Sequence, residues 1–207
     1  MARYTEAKCR LCRREGKKLF LKGLRCTSPK CPIDKKGAIP PGMKSTKRAK
    51  KPSEYGLQLR EKQKVKRAYG ILETQLKKYF QKAHKTKGAA GVILLQTLER
   101  RLDNVIYRLG FVPSRSVARQ LVTHGHVCVN NKKVDIPSYQ VVIGETISLS
   151  TSGMKNPQVR ETFAEKSAII PKWLEKKAAV GRISRLPNRD EIESDINEQL
   201  IVEYYSR

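Results

Sequence analysis

Residues 100–135 read RRLDNVIYRLGFVPSRSVARQLVTHGHVCVNNKKVD. The apolar spacing entering this stretch predicts a helix over 92–109, almost wholly apolar at first (VILLQTL) and then charged at Glu99, Arg100, Arg101 and Asp103. Pro113-Ser114 opens the next helix, with Ser114 as its N-cap. Gly125 supplies the left-handed residue that ends it. Val117, Leu121 and Val122 fall on the core face, and Arg115 and Arg119, four apart, share the outer face. Residues 127–129 and 134–136 read as a hairpin around Asn130-Asn131, because two successive Asn tolerate the positive φ angles of a type I′ turn. Residues 146–149 (TISL) form another alternating strand. The sum is a helix–helix–strand–strand–strand unit of α+β type, assigned to residues 99–164. Cys128, between two Val, reads as a small buried hydrophobe.

Moving toward the N-terminus, Ser53-Glu54 opens a helix that Gly70 ends, and a second helix covers 71–84. Before them, residues 36–52 are rich in Gly, Pro and Lys without apolar periodicity and read as an extended basic linker. Further out lie Cys9-x2-Cys12 and Cys26-x4-Cys31, separated by thirteen residues. Two thiolate pairs at this spacing can surround one ion, and four soft ligands with no open position favour one structural zinc. An iron–sulfur cluster stays open as the alternative. The intervening GKKLFLKGLR reads as strand-like. At the other end, residues 198–205 (EQLIVEYY) alternate like a strand that packs on the helical domain. The domains are therefore drawn as 1–52 (zinc loop and basic linker), 53–98 plus 165–207 (a discontinuous helical domain) and 99–164 (the inserted α+β module).

The 207 residues carry 44 Lys+Arg against 19 Asp+Glu, a formal charge of +25. A charge this large repels itself in a compact state and calls for a polyanionic partner. It is graded: net +14 over 1–52, +7 over 53–98, +4 over 99–164 and zero over 165–207. The N-terminal half is thus expected to face the polyanion, and the last forty residues to pack on protein. No signal-peptide pattern and no membrane-length apolar run is expected from the sequence, which points to a reducing compartment where clustered Cys hold metal. Within 100–135, cations alternate with Ser, Gln, Asn and His, a mixture that suits a folded RNA read by shape and backbone. The plain alternative is a solvated helix face.

Several stretches resemble one family. ARYTEAKCRLCRREG, LKGLRCTSPKC, KPSEYGLQLREKQKVKRAYGI, ERRLDNVIYRLGF, ARQLVTHGHVCVNNKKVDIPSY and LPNRDEIESDINEQLIVEYYSR are similar to bacterial-type small-subunit ribosomal protein four, in the family's order and in its four-cysteine, zinc-binding form. The resemblance implies a primary 16S rRNA binder that nucleates assembly of the subunit body. It implies contact with small-subunit protein five, a functional link with protein twelve in translational accuracy, and proximity to protein three and to mRNA. It implies a cytoplasmic ribosome, with an organellar one left open. The chain departs from the family at Asn131, where many members have Gly, and at Met43-Lys44-Ser45; residues 150–180 match loosely. The candidate RNA contacts are Arg3, Arg10, Arg13, Arg14, Lys22, Lys47, Arg48, Arg60, Lys62 and Arg67 in the basic half. In the module they are Arg100, Arg108, Ser114, Arg115, Arg119, Gln120, His124, His126, Asn130 and Lys132.

Two rival classes fare worse. The same RNA-binding module resembles pieces of pseudouridine synthases, and Arg101-Leu102-Asp103 looks like their Arg-Leu-Asp motif. However, the forty residues after the module are too few for a catalytic domain, and Asp103 more simply pairs with a neighbouring Arg. No phosphate-binding or H-E-x-x-H motif is present. A zinc-finger DNA regulator would need a recognition helix in the cysteine loop, where the sequence is strand-like.

Overall fold

Residues 3–42, 51–165, 169–192 and 195–207 are described by the computed structural model. In chain order the helices are α1 (Lys8–Glu15), α2 (Leu24–Thr27), α3 (Pro32–Lys36), α4 (Glu54–Ala68), α5 (Glu73–Lys85), α6 (Ala90–Glu99), α7 (Leu102–Arg108), α8 (Arg115–Thr123), α9 (Thr151–Met154), α10 (Pro157–Glu165) and α11 (Glu198–Ser206). The strands are β1 (Val127–Val129), β2 (Lys132–Lys133), β3 (Thr146–Leu149), β4 (Leu174–Lys177) and β5 (Val180–Ile183). The chain divides into two units, Met1–Leu94 with Asp195–Arg207, and Leu95–Ser194. Among the described residues no helix is long and apolar enough to cross a membrane.

In the first unit the Ser53 hydroxyl accepts from Gly56 N and starts α4. The apolar stripe of α4 and α5 buries Val65, Ala68, Leu76, Phe80 and Ala83. α11 completes this core. The expected strand at 198–205 is a helix, and the reason is a cap followed by a helical stripe. The Asn197 side chain accepts from Gln199 N and Leu200 N. Ile201 is buried, Tyr205 stacks on Phe80 with ring centres 4.7 Å apart, and Glu198 lies against Gly91. Positions 198, 201 and 205 share a face at helical spacing only; the alternation of apolar and polar residues is incidental. The GKKLFLKGLR stretch is not a strand either: Phe20 and Gly23 have positive φ, and a turn leads into α2.

The second unit is an antiparallel sheet of order β2-β1-β3-β5-β4 covered by helices. Ser114 caps α8 by accepting from Val117 N. Gly125 has φ +70°, and Asn130 and Asn131 have φ of 48° and 64° in the turn that pairs Val129 with Lys132. The core gathers Leu102, Val105, Ile106 and Leu109 of α7, Ala118, Leu121 and Val122 of α8, and Val127, Val129, Ile147, Leu149, Trp173 and Ile183 from the sheet side.

Three expectations are corrected here. First, the helix over 92–109 is two helices. Arg101 is extended (φ −63°, ψ 136°) and bridges Gln140, while Leu102 N donates to Tyr139 O and Val141 N donates to Arg100 O. The backbone at 100–102 is drawn into pairing with residues 139–141, which an unbroken helix forbids. Second, residues 169–192 do not join the helical unit. They supply β4 and β5, because Trp173, Leu174 and Ile183 bury against the sheet core and β5 pairs with β3. Third, Cys128 is half-buried rather than buried. Val127 and Val129 take the core face, so strand alternation turns Cys128 to the opposite one, in register with Lys133 and Ser148.

Candidate nucleic-acid interface and cysteine cluster

The end of α6 and the facing sides of α7 and α8 carry an arginine network built on two buried carboxylates. Glu99 accepts from Arg108 Nε at 3.0 Å and Nη2 at 2.8 Å, and from Asn104 Nδ2 at 2.8 Å. Asn104 Oδ1 accepts from Arg115 Nε at 2.7 Å, and the Arg115 guanidinium lies 4.7 Å over the centre of the Tyr107 ring. Asp103 accepts from Arg101 Nε at 3.0 Å and Nη2 at 2.7 Å, and stands 3.5 Å from Arg119. Arg101 is completely buried with its fork on Asp103; Arg108 spends Nε and Nη2 on Glu99 and Arg115 spends Nε on Asn104, so these two guanidiniums are held in direction while staying half-buried.

This geometry revises the list of candidate contacts. Arg119 is only 8% exposed and ion-paired, and so is not on the solvent face expected for it. Asp103 draws it inward. Ser114 is buried and spent on capping α8 and on Ser116. Arg108 and Arg115 are half-buried, and Arg100 directs its Nε at Val141 O. At the other end of the module Gln120, His124, Asn130 and Lys132 are exposed and His126 is half-buried. The Asn130 side chain is also structural, with Oδ1 accepting from Thr146 N and Oγ1. Sequence reading missed Glu99, Asn104 and Tyr107. Their only signal was polarity on an otherwise apolar helix face, and that does not say which Arg they serve.

In the N-terminal unit Arg3, Arg10, Arg14 and Lys22 are exposed or partly so. Arg13 is engaged with Ile39 O at 2.8 Å and with Pro40 O. Arg60 and Arg67, two turns apart on α4, converge on Glu15 at the end of α1, whose side chain is 1% exposed. Burial pushes the Glu15 carboxyl up while Arg67 and Arg60 pull it back. Lys62 is buried, donates to Glu73 at 2.8 Å and lies 4.2 Å over the Tyr204 ring, which removes it from any phosphate-facing surface. Burial works against the Glu73 carboxylate, yet hydrogen bonds from Lys62, Tyr205 and Lys66 hold it below its usual range. Lys47 and Arg48 lie outside the described residues.

Cys9, Cys12, Cys26 and Cys31 line one cavity of about 20 Å³ together with Lys18, Lys22 and Arg25. That volume admits about one water-sized atom. Cys26 Sγ accepts from Lys22 N at 3.4 Å. Burial pushes the Cys12 thiol up, and Cys26, Cys9 and Cys31 are near enough to add to the rise. Among the described residues no three His, Cys, Asp or Glu side chains are drawn in tightly enough to hold an ion. Four thiols on one cavity are, in donor chemistry alone, a set that a soft metal ion would accept.

Residues 3–99 match the family model described as ribosomal protein S4/S9 N-terminal domain, and residues 100–147 match the S4 domain. The chain is 54% identical to small ribosomal subunit protein uS4A of Symbiobacterium thermophilum over 209 aligned positions, covering 100% of both chains. It is 52% identical to protein uS4 of Desulfitobacterium hafniense and 54% identical to that of Pelotomaculum thermopropionicum, again over the full length of each.

Proposed function

The chain belongs to the small ribosomal subunit protein uS4 family, and from that premise we propose that it grips folded 16S rRNA through the arginine network of α6–α8 and the exposed cations of its N-terminal half. As a family member it is a structural, non-enzymatic ribosomal protein with an S4 RNA-binding domain. The observation that carries the proposal is the orientation of Arg108 and Arg115 by Glu99, Asn104 and Tyr107 inside that domain. Cations held in direction at the surface of such a module suit the shape and backbone of a folded RNA. Binding the full chain to 16S rRNA and to duplex DNA of equal charge, at one salt concentration, tests this. Tighter binding to the rRNA is expected; equal affinity overturns the reading.

On the same premise the chain nucleates assembly of the subunit body in the cytoplasmic ribosome. It meets protein five through the acidic stretch 190–203, shares influence on decoding accuracy with protein twelve, and lies near protein three and the path of mRNA. The support is charge: that stretch holds Asp190, Glu191, Glu193, Asp195, Glu198 and Glu203 and no Lys or Arg, so phosphate would repel it.

The four clustered Cys are assigned one structural zinc, held by Cys9, Cys12, Cys26 and Cys31. The ion would fasten α1 to the segments carrying α2 and α3 and do no chemistry. Purified chain is expected to contain about one zinc per molecule. Cys26→Ser is expected to lose it and to open residues 3–42 to limited proteolysis while the sheet unit stays resistant. Zinc retained at the parent level in Cys26→Ser refutes the assignment, and iron in its place decides for a cluster.

A further inference from the structure

We propose that the solvent face of α5 is a lysine rail that lies along the sugar-phosphate backbone of a double-helical segment of the bound RNA. This rests on the RNA-binding reading above and adds which helix of the first unit meets the RNA, and in what form. Residues 53–98 hold ten Lys/Arg and three acids. The fold sorts those ten cations into two sets of five. All five on α4 have carboxylate partners: Arg60 and Arg67 on Glu15, Lys62 and Lys66 on Glu73, and Lys64 on Glu61. The other five are Lys77, Lys78, Lys82 and Lys85 on α5 and Lys87 just after it; all are exposed, and among the described residues none has a carboxylate partner. Glu73, the one acid of α5, is turned toward Lys62 and Lys66. The contacts expected at Arg60, Lys62 and Arg67 are thus engaged inside the unit, and the unneutralised charge of this segment stands on a helix where no contact was expected.

The placement is ordered. Leu76, Phe80 and Ala83 bury one side of α5. Lys78, Lys82 and Lys85, four and three residues apart, fall on the opposite side and run along about 10 Å of helix axis. Thr74 and Gln81 share that stripe and are exposed as well. Like charges at these spacings repel one another and weaken the helix, and a merely solvated face ordinarily mixes both signs. Cations in a last turn suit the helix dipole, which accounts for Lys82 and Lys85. It does not account for Lys77 and Lys78 in the middle of α5. The chemistry of the stripe names its occupant. Lys is a point charge without the planar fork of Arg, and no aromatic residue lies in the stripe to take an unstacked base. Such a face neutralises phosphates without reading bases. Duplex RNA is recognised by shape and backbone, whereas single strands call for aromatic stacking platforms.

The test measures Kd of the full chain for in vitro transcribed 16S rRNA across a series of salt concentrations, with Tm as the folding control. Lys78→Gln, Lys82→Gln and Lys85→Gln together are expected to weaken binding about tenfold or more and to lower the slope of log affinity against log salt by about two to three, near one per phosphate contact. The matching Lys→Arg triple, which keeps the charge, is expected to bind like the parent. Lys155→Gln, Lys172→Gln and Lys177→Gln, three exposed positions of the second unit, remove the same charge and are expected to leave the slope near that of the parent. Equal losses in the two Gln triples overturn the rail in favour of a diffuse field. A parent-like slope in the α5 Gln triple overturns it too and leaves that face to an acidic protein. The α5 triple is also expected to lose more on a synthetic RNA duplex of arbitrary sequence than on single-stranded poly-uridine of equal phosphate number; an equal or larger loss on the single strand overturns the double-helical assignment. If the triple lowers Tm, Lys78→Gln alone is read by the same criterion, with an expected fall in slope of about one. A parent chain that does not prefer rRNA over duplex DNA brings down the RNA reading itself, a result visible before any Lys variant is compared.

Discussion

Raising salt from 50 to 200 mM is expected to lower the affinity of this chain for 16S rRNA by about three to five decades. Each phosphate neutralised by Lys or Arg frees condensed counterions, and the slope counts those contacts; on the order of six to ten contacts give this range. The net charge of +25 makes such a count reasonable, and the structure indicates which cations supply it. Arg3, Arg10, Arg14, Lys22 and Lys132 are exposed, and Arg108 and Arg115 are half-buried. Lys62 and Arg119 are buried and paired with Glu73 and Asp103, and Arg60 and Arg67 share Glu15, so these add little to the slope. Filter binding across that salt range measures it. A nearly flat response contradicts an electrostatic grip.

Asp103→Ala is expected to destabilise the chain by about 3–5 kcal/mol, the usual cost of removing one partner from a buried ion pair. Arg101 is completely buried, and Asp103 receives two of its hydrogen bonds while also facing Arg119. Without that carboxylate two buried guanidinium charges lose a shared counter-charge. The backbone of Asp103 also anchors the crossing by donating to Pro137 O, which Ala retains, so the loss reports the side chain. Asp103→Asn, with one acceptor oxygen left, should fall between parent and Ala. Urea midpoints at constant m-value give the difference. A loss below about 1 kcal/mol, the range of surface pairs, would mean that water reaches the network.

The bounds of α8 and the turn at Asn130-Asn131 were legible because their signals are local, whereas the second hairpin strand is Lys132–Lys133 and not 134–136. Ser114 caps, Gly125 stops, and Asn130-Asn131 turn, each through its own backbone preference. Residues 198–205 were misread for the opposite reason. Their fold is decided by Asn197 and by the distant Phe80 and Gly91, which no window of eight residues contains. β4 and β5 escaped notice because LEKK and VGRI carry few β-favouring residues, and their place is set by pairing with β3. At the candidate site, residue type identified the cations but not their direction. Arg115 and Arg119 lie four apart on one helix, yet Asp103 draws Arg119 into the interior while Asn104 and Tyr107 hold Arg115 part-exposed. That split depends on which carboxylate each can reach, a three-dimensional fact.

The interruption of the first unit by residues 95–194 fixes a timetable for synthesis. The sheet unit is contiguous and has all its strands once residue 183 has been made, whereas the surface of α4 and α5 waits for Ile201 and Tyr205. At roughly 5–20 residues per second, the hundred intervening residues impose a delay of about 5–20 s. Throughout that interval a growing chain carries an uncovered apolar helix face, and by its end the sheet unit is already complete. A nonsense mutation between 195 and 197 therefore leaves a chain that has the whole sheet unit and lacks the helix that covers α4 and α5.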